Sequence, residues 1–265
     1  MPGGASEIFV KAGGAQAQVF TAGRGDPLVY LHGGLGFQLW PTFLDQIAGE
    51  FTVYAPVMPG VGKSEVIHGI DDVLDLALYH HDLMDALGLE APHVVGHFLG
   101  AMTAAETSAI CPHRVDRLVL SSPAGMWLDD DPGVDFFATP ASGQRSALFS
   151  DPDSAAARGL IPDPDSTDER EEENIQRVRA ATAAAKFLWP IPDKGLKKRL
   201  HRIKAPTLVI VAEHDQIVPP VYGDQITGRI EGSTMRLIQG AGHLSMLEKP
   251  GEFADVVMGF LKGEV

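Results

Sequence analysis

The segment Gly96-His97-Phe98-Leu99-Gly100 has the pattern of a nucleophile site without a nucleophile. It follows the apolar pair Val94-Val95 and precedes a helical stretch that begins at Ala101. In a nucleophile elbow the central residue lies on a strained strand-to-helix turn, and the flanking residues are glycines because side chains there would clash with the turn. The central residue here is Phe98 rather than Ser, Cys or Asp. The sequence therefore predicts the scaffold of a nucleophile site whose attacking atom is missing.

Two polar residues further along the chain are candidates for an acid–base pair. Asp215 comes just after the apolar run Val209–Ala212, and His243 lies in a glycine-rich loop after Met235–Ile238. An acid past the carboxyl end of a strand can orient an imidazole, and a histidine in such a loop can act as a general base. A lone loop histidine is more often a surface residue. The order of elbow, acid and histidine, each after a strand, is a much more specific signal.

Two glycine-rich segments follow strands and could approach an anion. His32-Gly33-Gly34-Leu35-Gly36 follows Leu28–Leu31, and such a turn brings backbone N–H groups close to an anion. It does not match the dinucleotide pattern Gly-x-Gly-x-x-Gly. Gly62-Lys63-Ser64 resembles the end of a P-loop, but Val57 stands where that motif needs a glycine and Pro59 lies inside the loop. Neither segment predicts a nucleotide site.

The remaining residues of suitable type are weaker candidates. We expect Cys111 to be a small buried residue. His81 and Asp85 are four residues apart on one helix, beside His80, and are expected to form a surface pair because no third metal ligand is evident. Four serines could supply a hydroxyl, but none of them lies on an elbow: Ser64, Ser121, Ser122 and Ser245.

Short apolar runs that alternate with helical patterns must position these candidates. Six runs predict buried strands, and their alternation with helices predicts right-handed βαβ units and a mostly parallel sheet in an α/β fold. The helical stretch Val73–Leu87 ends at Gly88, and Glu7–Val10 with Gln16–Phe20 predict an opening antiparallel hairpin. The six predicted strands are Leu28–Leu31, Thr52–Ala55, His93–Val95, Arg117–Leu120, Leu208–Ala212 and Met235–Ile238.

The strand pattern breaks between about residues 126 and 200. From Asp129 to Glu173 there are thirteen acidic residues against three basic ones. This composition predicts a solvated, partly helical insertion, and the same insertion could act as a lid over an active site. Six apolar residues are the expected underside of that lid: Phe136, Phe137, Phe149, Phe187, Leu188 and Trp189.

Together these segments resemble the α/β-hydrolase superfamily, and in particular its small cap-bearing esterases, lactonases and C–C bond hydrolases. The segments appear in the family's order and span nearly the whole predicted core. The resemblance implies a mostly parallel twisted sheet flanked by helices, with residues 1–125 and 201–265 as the core and residues 126–200 as a mainly helical cap. It also implies that no metal or organic cofactor is needed.

The resemblance assigns roles to residues that match the family's motifs. His243 would be the catalytic base and Asp215 its orienting acid, and the backbone N–H groups of Gly34 and Leu99 would form the oxyanion hole. Phe98 departs from the family, because it stands where the nucleophile, usually serine, is found. Val57 stands where many relatives have an aspartate, which we expect to affect only local hydrogen bonding. The expected substrate pocket includes His32, Gly33, Phe137 and Trp189.

Composition excludes several other classes of protein. The chain has 265 residues and a formal charge of −14, which disfavours nucleic acid as a partner. Its longest apolar runs, such as Leu208–Ala212, are far shorter than the roughly 18 residues that span a bilayer. One cysteine allows no internal disulfide and no thiolate cluster. The first seven residues show no signal-peptide pattern, so we expect a cytoplasmic protein.

Three functional hypotheses follow from these residues. In the first, the chain is a serine hydrolase for a small hydrophobic acyl or aryl ester or lactone, inactivated or impaired by Phe98. In the second, His243 and Asp215 act without a covalent step, as in a cofactor-free oxygenase or lyase, and Phe98 is a wall of the pocket. In the third, the chain is a non-catalytic module that retains the pocket to bind a ligand. Fold alone does not separate them.

Overall fold

Eight strands form one mixed sheet in the part of the chain that the computed structural model describes, residues 4–162 and 171–264. Their order across the sheet is β1-β2-β4-β3-β5-β6-β7-β8. The pairs β1/β2 and β2/β4 are antiparallel, and all later neighbours are parallel. The strands are β1 (Ser6–Ala12), β2 (Ala15–Ala22), β3 (Pro27–Leu31), β4 (Thr52–Pro56), β5 (His93–His97), β6 (Leu118–Ser121), β7 (Thr207–Ala212) and β8 (Thr234–Ile238).

The opening hairpin and the parallel strands agree with the sequence prediction. Gly13 and Gly14 join β1 to β2 with φ angles of 56° and 83°, a turn that glycine forms without steric cost. Every residue of β5, β6 and β7 is buried, as expected for strands covered by helices on both faces. The prediction of a buried strand near Met235–Ile238 is wrong in one respect. β8 lies at the edge of the sheet, so Arg236 and Leu237 are exposed and only Ile238 is buried.

Helices cover both faces of the sheet. Helix α2 begins where Asp72 accepts hydrogen bonds from the backbone N–H groups of Leu74 and Asp75, and it ends before Gly88, whose φ is 69°. The helices are α1 (Phe43–Ile47), α2 (Val73–Ala86), α3 (Leu99–Ile110), α4 (Ala141–Leu148), α5 (Ala155–Leu160), α6 (Glu171–Leu188), α7 (Val221–Thr227), α8 (Ser245–Glu248) and α9 (Pro250–Leu261). The predicted α/β fold with a mostly parallel sheet flanked by helices is confirmed.

Three helices, α4 to α6, lie in the described residues between β6 and β7, and no described residue there is in a strand. Part of the acidic run, residues 163–170, lies outside the described residues. Of the residues expected to form an apolar underside, Phe136, Phe149, Phe187 and Leu188 are buried. Trp189 is 55% exposed, so it belongs to the rim rather than to a closed interior. The assignment of residues 126–200 as a separate cap stays a prediction.

Two predictions about side chains on α2 and α3 are wrong. His81 is buried rather than at the surface, because α2 packs against α3 and the His81 Nε2 atom lies 3.2 Å from the carbonyl oxygen of Thr107. Asp85 instead pairs with Arg114 at 2.6 Å. Cys111 is partly exposed, since it follows the last residue of α3. Of the helices that the structure describes, none is both long enough and apolar enough to cross a bilayer.

Candidate active site

Phe98 lies on the turn between β5 and α3 in a strained conformation. Its φ and ψ are 51° and −110°, a region that bulky residues rarely occupy. Backbone hydrogen bonds hold the turn: the Phe98 N–H donates to Ser121 O at 3.0 Å, and its carbonyl accepts from Met102 and Ala124 at 3.0 and 3.2 Å. The predicted sharp strand-to-helix turn is therefore present, and its strained residue is Phe98.

The glycines on either side of Phe98 have the steric role that the sequence predicts. A Cβ atom on Gly96 would lie 2.4 Å from Gly100 O, and one on Gly100 would lie 2.0 Å from Leu31 O. Both distances are far below van der Waals contact with backbone atoms that cannot move aside. Helix α3 thus starts directly above β3 and β5, and only glycine permits that approach.

His243 and Asp215 form a buried hydrogen-bonded pair. The His243 Nδ1 atom lies 3.1 and 3.0 Å from the two carboxylate oxygens of Asp215, and both side chains have 0% exposure. Asp215 Oδ1 also accepts from the backbone N–H groups of Ile217 and Val218, at 3.0 and 2.9 Å. Because an ionised carboxylate only accepts hydrogen bonds, the proton of the pair lies on Nδ1. The lone pair of His243 is therefore on Nε2, as a general base requires.

The ring of Phe98 packs against the ring of His243. The two ring centroids are 4.8 Å apart with an interplanar angle of 88°, an edge-to-face contact. The Nε2 atom of His243 is buried and has no hydrogen-bond partner among the described residues. The Phe98 ring has no N–H or O–H group to donate to Nε2, so the His243–Asp215 pair is assembled beside an apolar ring.

Three residues that the sequence analysis did not identify as functional position His243. His97 donates from Nε2 to the backbone oxygen of His243 at 3.0 Å, and its ring centroid lies 4.7 Å from that of His243. Burial, and then the neighbouring His243, hold the pKa of His97 well below its usual value, so it is neutral. Glu248 accepts from the Gly242 N–H at 2.5 Å, and Glu213 accepts from the Gly240 N–H at 2.7 Å. Glu248 follows the His243 loop and Glu213 follows β7, but no sequence motif distinguishes a glutamate that anchors a loop in this way.

Of the two residues predicted to form the oxyanion hole, Leu99 belongs to the elbow and Gly34 follows a residue that contacts the elbow. Leu99 is the first residue of α3, where backbone N–H groups have no partner within the helix. Gly33 lies against Phe98, since a Cβ atom on Gly33 would be 2.7 Å from Phe98 Cβ. Gly34 has a φ of 85° and its N–H points at His32 Nδ1, 3.3 Å away. The role of the Gly34 and Leu99 N–H groups stays a prediction.

His32 can bind only one of its two backbone neighbours. The Met58 N–H lies 3.1 Å from His32 Nε2, and the Gly34 N–H lies 3.3 Å from Nδ1. Burial lowers the pKa of His32 to about 4, so the ring is neutral and has a single acceptor nitrogen. The contact with Met58 is the shorter one. If Nε2 accepts from the Met58 N–H, the ring proton is on Nδ1, and the Gly34 N–H is free to bind another acceptor.

A cleft of about 610 Å³, measured out to its open mouth, begins at Phe98. We call it the Phe98 cleft. Two of the four predicted pocket residues, Phe137 and Trp189, line it. His32 instead lines a smaller cavity of about 330 Å³, beside Met58 and His80, because β3 places its side chain on the α2 side of the elbow. Gly33 contacts the elbow itself.

The serine candidates are placed around the same edge of the sheet but are not on an elbow. Ser122 follows β6 with a φ of 44°. Its hydroxyl and those of Ser121 and Ser245 are buried and have no hydrogen-bond partner among the described residues. Ser64 donates to Val57 O at 2.8 Å and so supports the loop at Val57. Among the residues described, no group of three or more His, Cys, Asp or Glu side chains is placed to hold a metal ion.

Sequence comparisons identify proteins with similar chains. The family pattern described as alpha/beta hydrolase fold matches residues 26–250. The 2-hydroxy-6-oxo-6-phenylhexa-2,4-dienoate hydrolase of Comamonas testosteroni is 29% identical over 263 residues, which cover 91% of this chain and 89% of that protein. Carboxylesterase YbfK of Bacillus subtilis (strain 168) is 25% identical over 269 residues, which cover 97% of this chain and 88% of that protein.

A comparison of structures points to the same fold. The crystal structure of naproxen esterase (carboxylesterase NP) from Bacillus subtilis matches with a TM-score of 0.78 at 21% identity. The match covers 98% of this chain and 92% of the esterase. At this identity the likeness concerns the fold, and the chemistry has to be argued from the site.

Proposed function

This chain belongs to the alpha/beta hydrolase family, and we propose that it has the scaffold of a carboxylic ester or lactone hydrolase in which Phe98 occupies the position of the serine nucleophile. With a serine at position 98, His243 would take the hydroxyl proton and the oxygen would attack an ester carbonyl. The N–H groups of Gly34 and Leu99 would stabilise the oxyanion, and water would then release the acyl group. A phenyl side chain has no lone pair with which to attack the ester carbonyl, so we propose that covalent turnover is absent or strongly impaired.

The position of the Phe98 ring is the observation that carries this proposal. The ring lines the cleft on one side and contacts His243 on the other, and the His243 side chain has no exposed surface. A ligand in the cleft thus meets Phe98 before it meets the His243–Asp215 pair. This is the place that an attacking oxygen would have to occupy.

A second candidate function is general-base chemistry without a covalent step, as in a cofactor-free oxygenase or lyase. The intact hydrogen bonds between His243 and Asp215, with an unpartnered Nε2, favour it. It requires a substrate C–H or O–H to reach Nε2, which is buried on a ring that packs against Phe98. A third candidate, ligand binding without chemistry, rests on the cleft alone. We therefore rank the disabled hydrolase first.

The proposal extends to the organisation of the chain and its ligand. We propose that residues 1–125 and 201–265 form the catalytic-type core, and that residues 126–200 form a cap that supplies Phe137 and Trp189 to the cleft. The mainly apolar lining, and relatives named for a phenyl-substituted dienoate and for carboxylic esters, support a small hydrophobic acyl or aryl ligand. Neither an organic cofactor nor a metal takes part in this mechanism, and we propose a cytoplasmic protein.

Hydrolysis of p-nitrophenyl esters of several acyl lengths tests the proposal. The unmodified chain is compared with Phe98→Ser and with Phe98→Ala, which opens the same space without supplying an oxygen. We expect hydrolysis, and covalent labelling of position 98 by a fluorophosphonate, with Phe98→Ser alone. Activity in the unmodified chain that His243→Ala abolishes would instead support general-base chemistry. Equal activity of Phe98→Ser and Phe98→Ala would contradict the role assigned to position 98.

A further inference from the structure

The lining of the Phe98 cleft is rich in aromatic rings. Two of the three tryptophans of the chain line it, although Trp189 is more than half exposed. Aromatic rings favour a flat aromatic guest, because offset or edge-to-face ring contacts add to the burial of apolar surface. Six aromatic side chains line the cleft: Phe98, Trp127, Phe136, Phe137, Trp189 and Tyr222.

Two polar side chains of the cleft, those of Tyr222 and Trp127, are engaged with other parts of the chain. Tyr222 donates its hydroxyl proton to Asp131 O at 3.0 Å and accepts from the Leu128 N–H at 3.1 Å. The indole N–H of Trp127 donates to Asp129 at 3.0 Å. The Tyr222 hydroxyl and the Trp127 indole N–H are thus occupied, and a ligand carboxylate would have to displace an existing acceptor to bind either donor.

The charge at the cleft is negative. Asp135 is the only charged residue among the described residues that line the cleft, and none of those residues is Lys or Arg. Its Oδ1 atom accepts from the N–H groups of Phe137 and Ala138, at 2.9 and 3.2 Å, so the carboxylate is held in place at the cleft. Asp135 is exposed, so solvent partly screens its charge. A ligand carboxylate in the cleft would lose hydration, gain no cation from the described lining, and meet this positioned like charge.

We infer that the Phe98 cleft binds an uncharged aryl group and discriminates against aryl carboxylates. The inference deepens the proposed function and rests on it only in taking this cleft as the ligand site. It separates the chain from the Comamonas testosteroni relative, whose name identifies a carboxylate, a dienoate, as its substrate. An aryl ester or amide meets the requirement, since its polar group is neutral and its ring fills the aromatic lining.

The test uses a pair of ligands of nearly equal shape, 2-naphthamide and 2-naphthoate, with the unmodified chain at pH 7. Binding is followed by tryptophan fluorescence, to which Trp127 and Trp189 contribute from within the cleft, and is checked by calorimetry. We expect the amide to bind at least about tenfold more tightly than the carboxylate. Trp189→Ala should weaken amide binding at least about fivefold, since it removes an exposed ring from the lining.

A charge variant isolates the cause of the discrimination. Asp135→Asn retains the oxygen that accepts from Phe137 and Ala138, so it removes the charge and keeps the local fold. We expect it to raise the affinity for naphthoate about threefold and to leave that for naphthamide unchanged. The matched control is Asp255→Asn, which makes the same change of charge on the exposed face of α9, away from the cleft.

Several results would overturn the inference. They are equal affinities for the two ligands, no binding of the amide, an amide affinity unchanged by Trp189→Ala, and an equal gain for naphthoate in Asp135→Asn and Asp255→Asn. Because these measurements need no turnover, they are independent of whether Phe98→Ser hydrolyses esters. The two proposals can therefore fail separately.

Discussion

A comparison of Phe98→Ala with Phe98→Ser tests whether position 98 faces His243 Nε2. Phe98 is 5% exposed, and truncating a buried phenylalanine to alanine costs about 3–5 kcal/mol of unfolding free energy. The emptied space opens into the Phe98 cleft and can hydrate, so we expect a loss near the lower end, about 3 kcal/mol, for Phe98→Ala. Both variants retain a Cβ atom, so the strain at a φ of 51° is common to them and cancels in the comparison.

The serine hydroxyl determines the difference in stability between the two variants. If its oxygen reaches His243 Nε2, it satisfies a buried acceptor that has no partner among the described residues, and the net gain is about 1 kcal/mol. If it does not, the hydroxyl bonds to water in the opened space, and serine gains no stability over alanine. We therefore expect Phe98→Ser to be about 1 kcal/mol more stable than Phe98→Ala.

Urea unfolding followed by circular dichroism and fluorescence measures this difference, with coincident transitions as the check on two-state behaviour. Ser122→Ala is the matched control, because the Ser122 hydroxyl is buried without a partner among the described residues. There we expect alanine to be at least as stable as serine. A Phe98→Ser variant that is as stable as Phe98→Ala, or less stable, would refute the geometry on which the proposed function depends.

Three further predictions concern the acid, the cleft and the buried histidines. In the Phe98→Ser background, Asp215→Asn should lower kcat roughly 10³–10⁴-fold, because the amide N–H₂ would force the wrong imidazole tautomer; an unchanged kcat would contradict the pairing. Phe137 lines both the Phe98 cleft and a second cavity of about 860 Å³, so it separates the two spaces. In the Phe98→Ser background, Phe137→Ala should therefore raise kcat/KM for long acyl esters relative to short ones at least about tenfold. An unchanged dependence on acyl length would show that Phe137 does not separate the two spaces. Burial lowers the pKa of His32 to about 4 and that of His80 to about 3, so the unfolded state binds more protons below about pH 6.5. Stability should therefore fall as the pH drops from 6.5 towards 4, by up to about 1.4 kcal/mol per pH unit for each histidine, and denaturation that is independent of pH in this range would exclude the effect.

Much of the fold could be predicted because its signals are local. The apolar runs of β3 to β7 are short, aliphatic and mostly bounded by glycine or proline, and each is a strand within one or two residues of its predicted limits. Gly96 and Gly100 indicated a close approach of helix to strand, which the backbone contacts confirm. The exposure of β8 was missed, because a run such as Met235–Ile238 does not show that its strand lies at the edge of the sheet.

The site could be predicted only in part. The order of Phe98, Asp215 and His243 along the chain indicated that they would meet, because carboxyl ends of parallel strands share one edge of the sheet. The anchoring of the His243 loop by Glu248 and Glu213 could not be predicted, since each is a single hydrogen bond between a side chain and a backbone N–H. His32 was expected in the substrate pocket, but it lies in a separate cavity on the α2 side of the elbow.

Residue types and spacing alone determined the class of fold, the turn that holds Phe98 and the pairing of Asp215 with His243. Each of these depends on neighbours in sequence or on the shared edge of parallel strands. Only the tertiary structure decided how these parts relate. It turned the Phe98 ring onto His243, placed the cleft on the outer side of that ring, and surrounded the cleft with aromatic side chains and one fixed carboxylate. These relations depend on packing between residues that are far apart in the chain, from 29 positions for Phe98 and Trp127 to 145 for Phe98 and His243. No local pattern encodes the direction in which a buried side chain points.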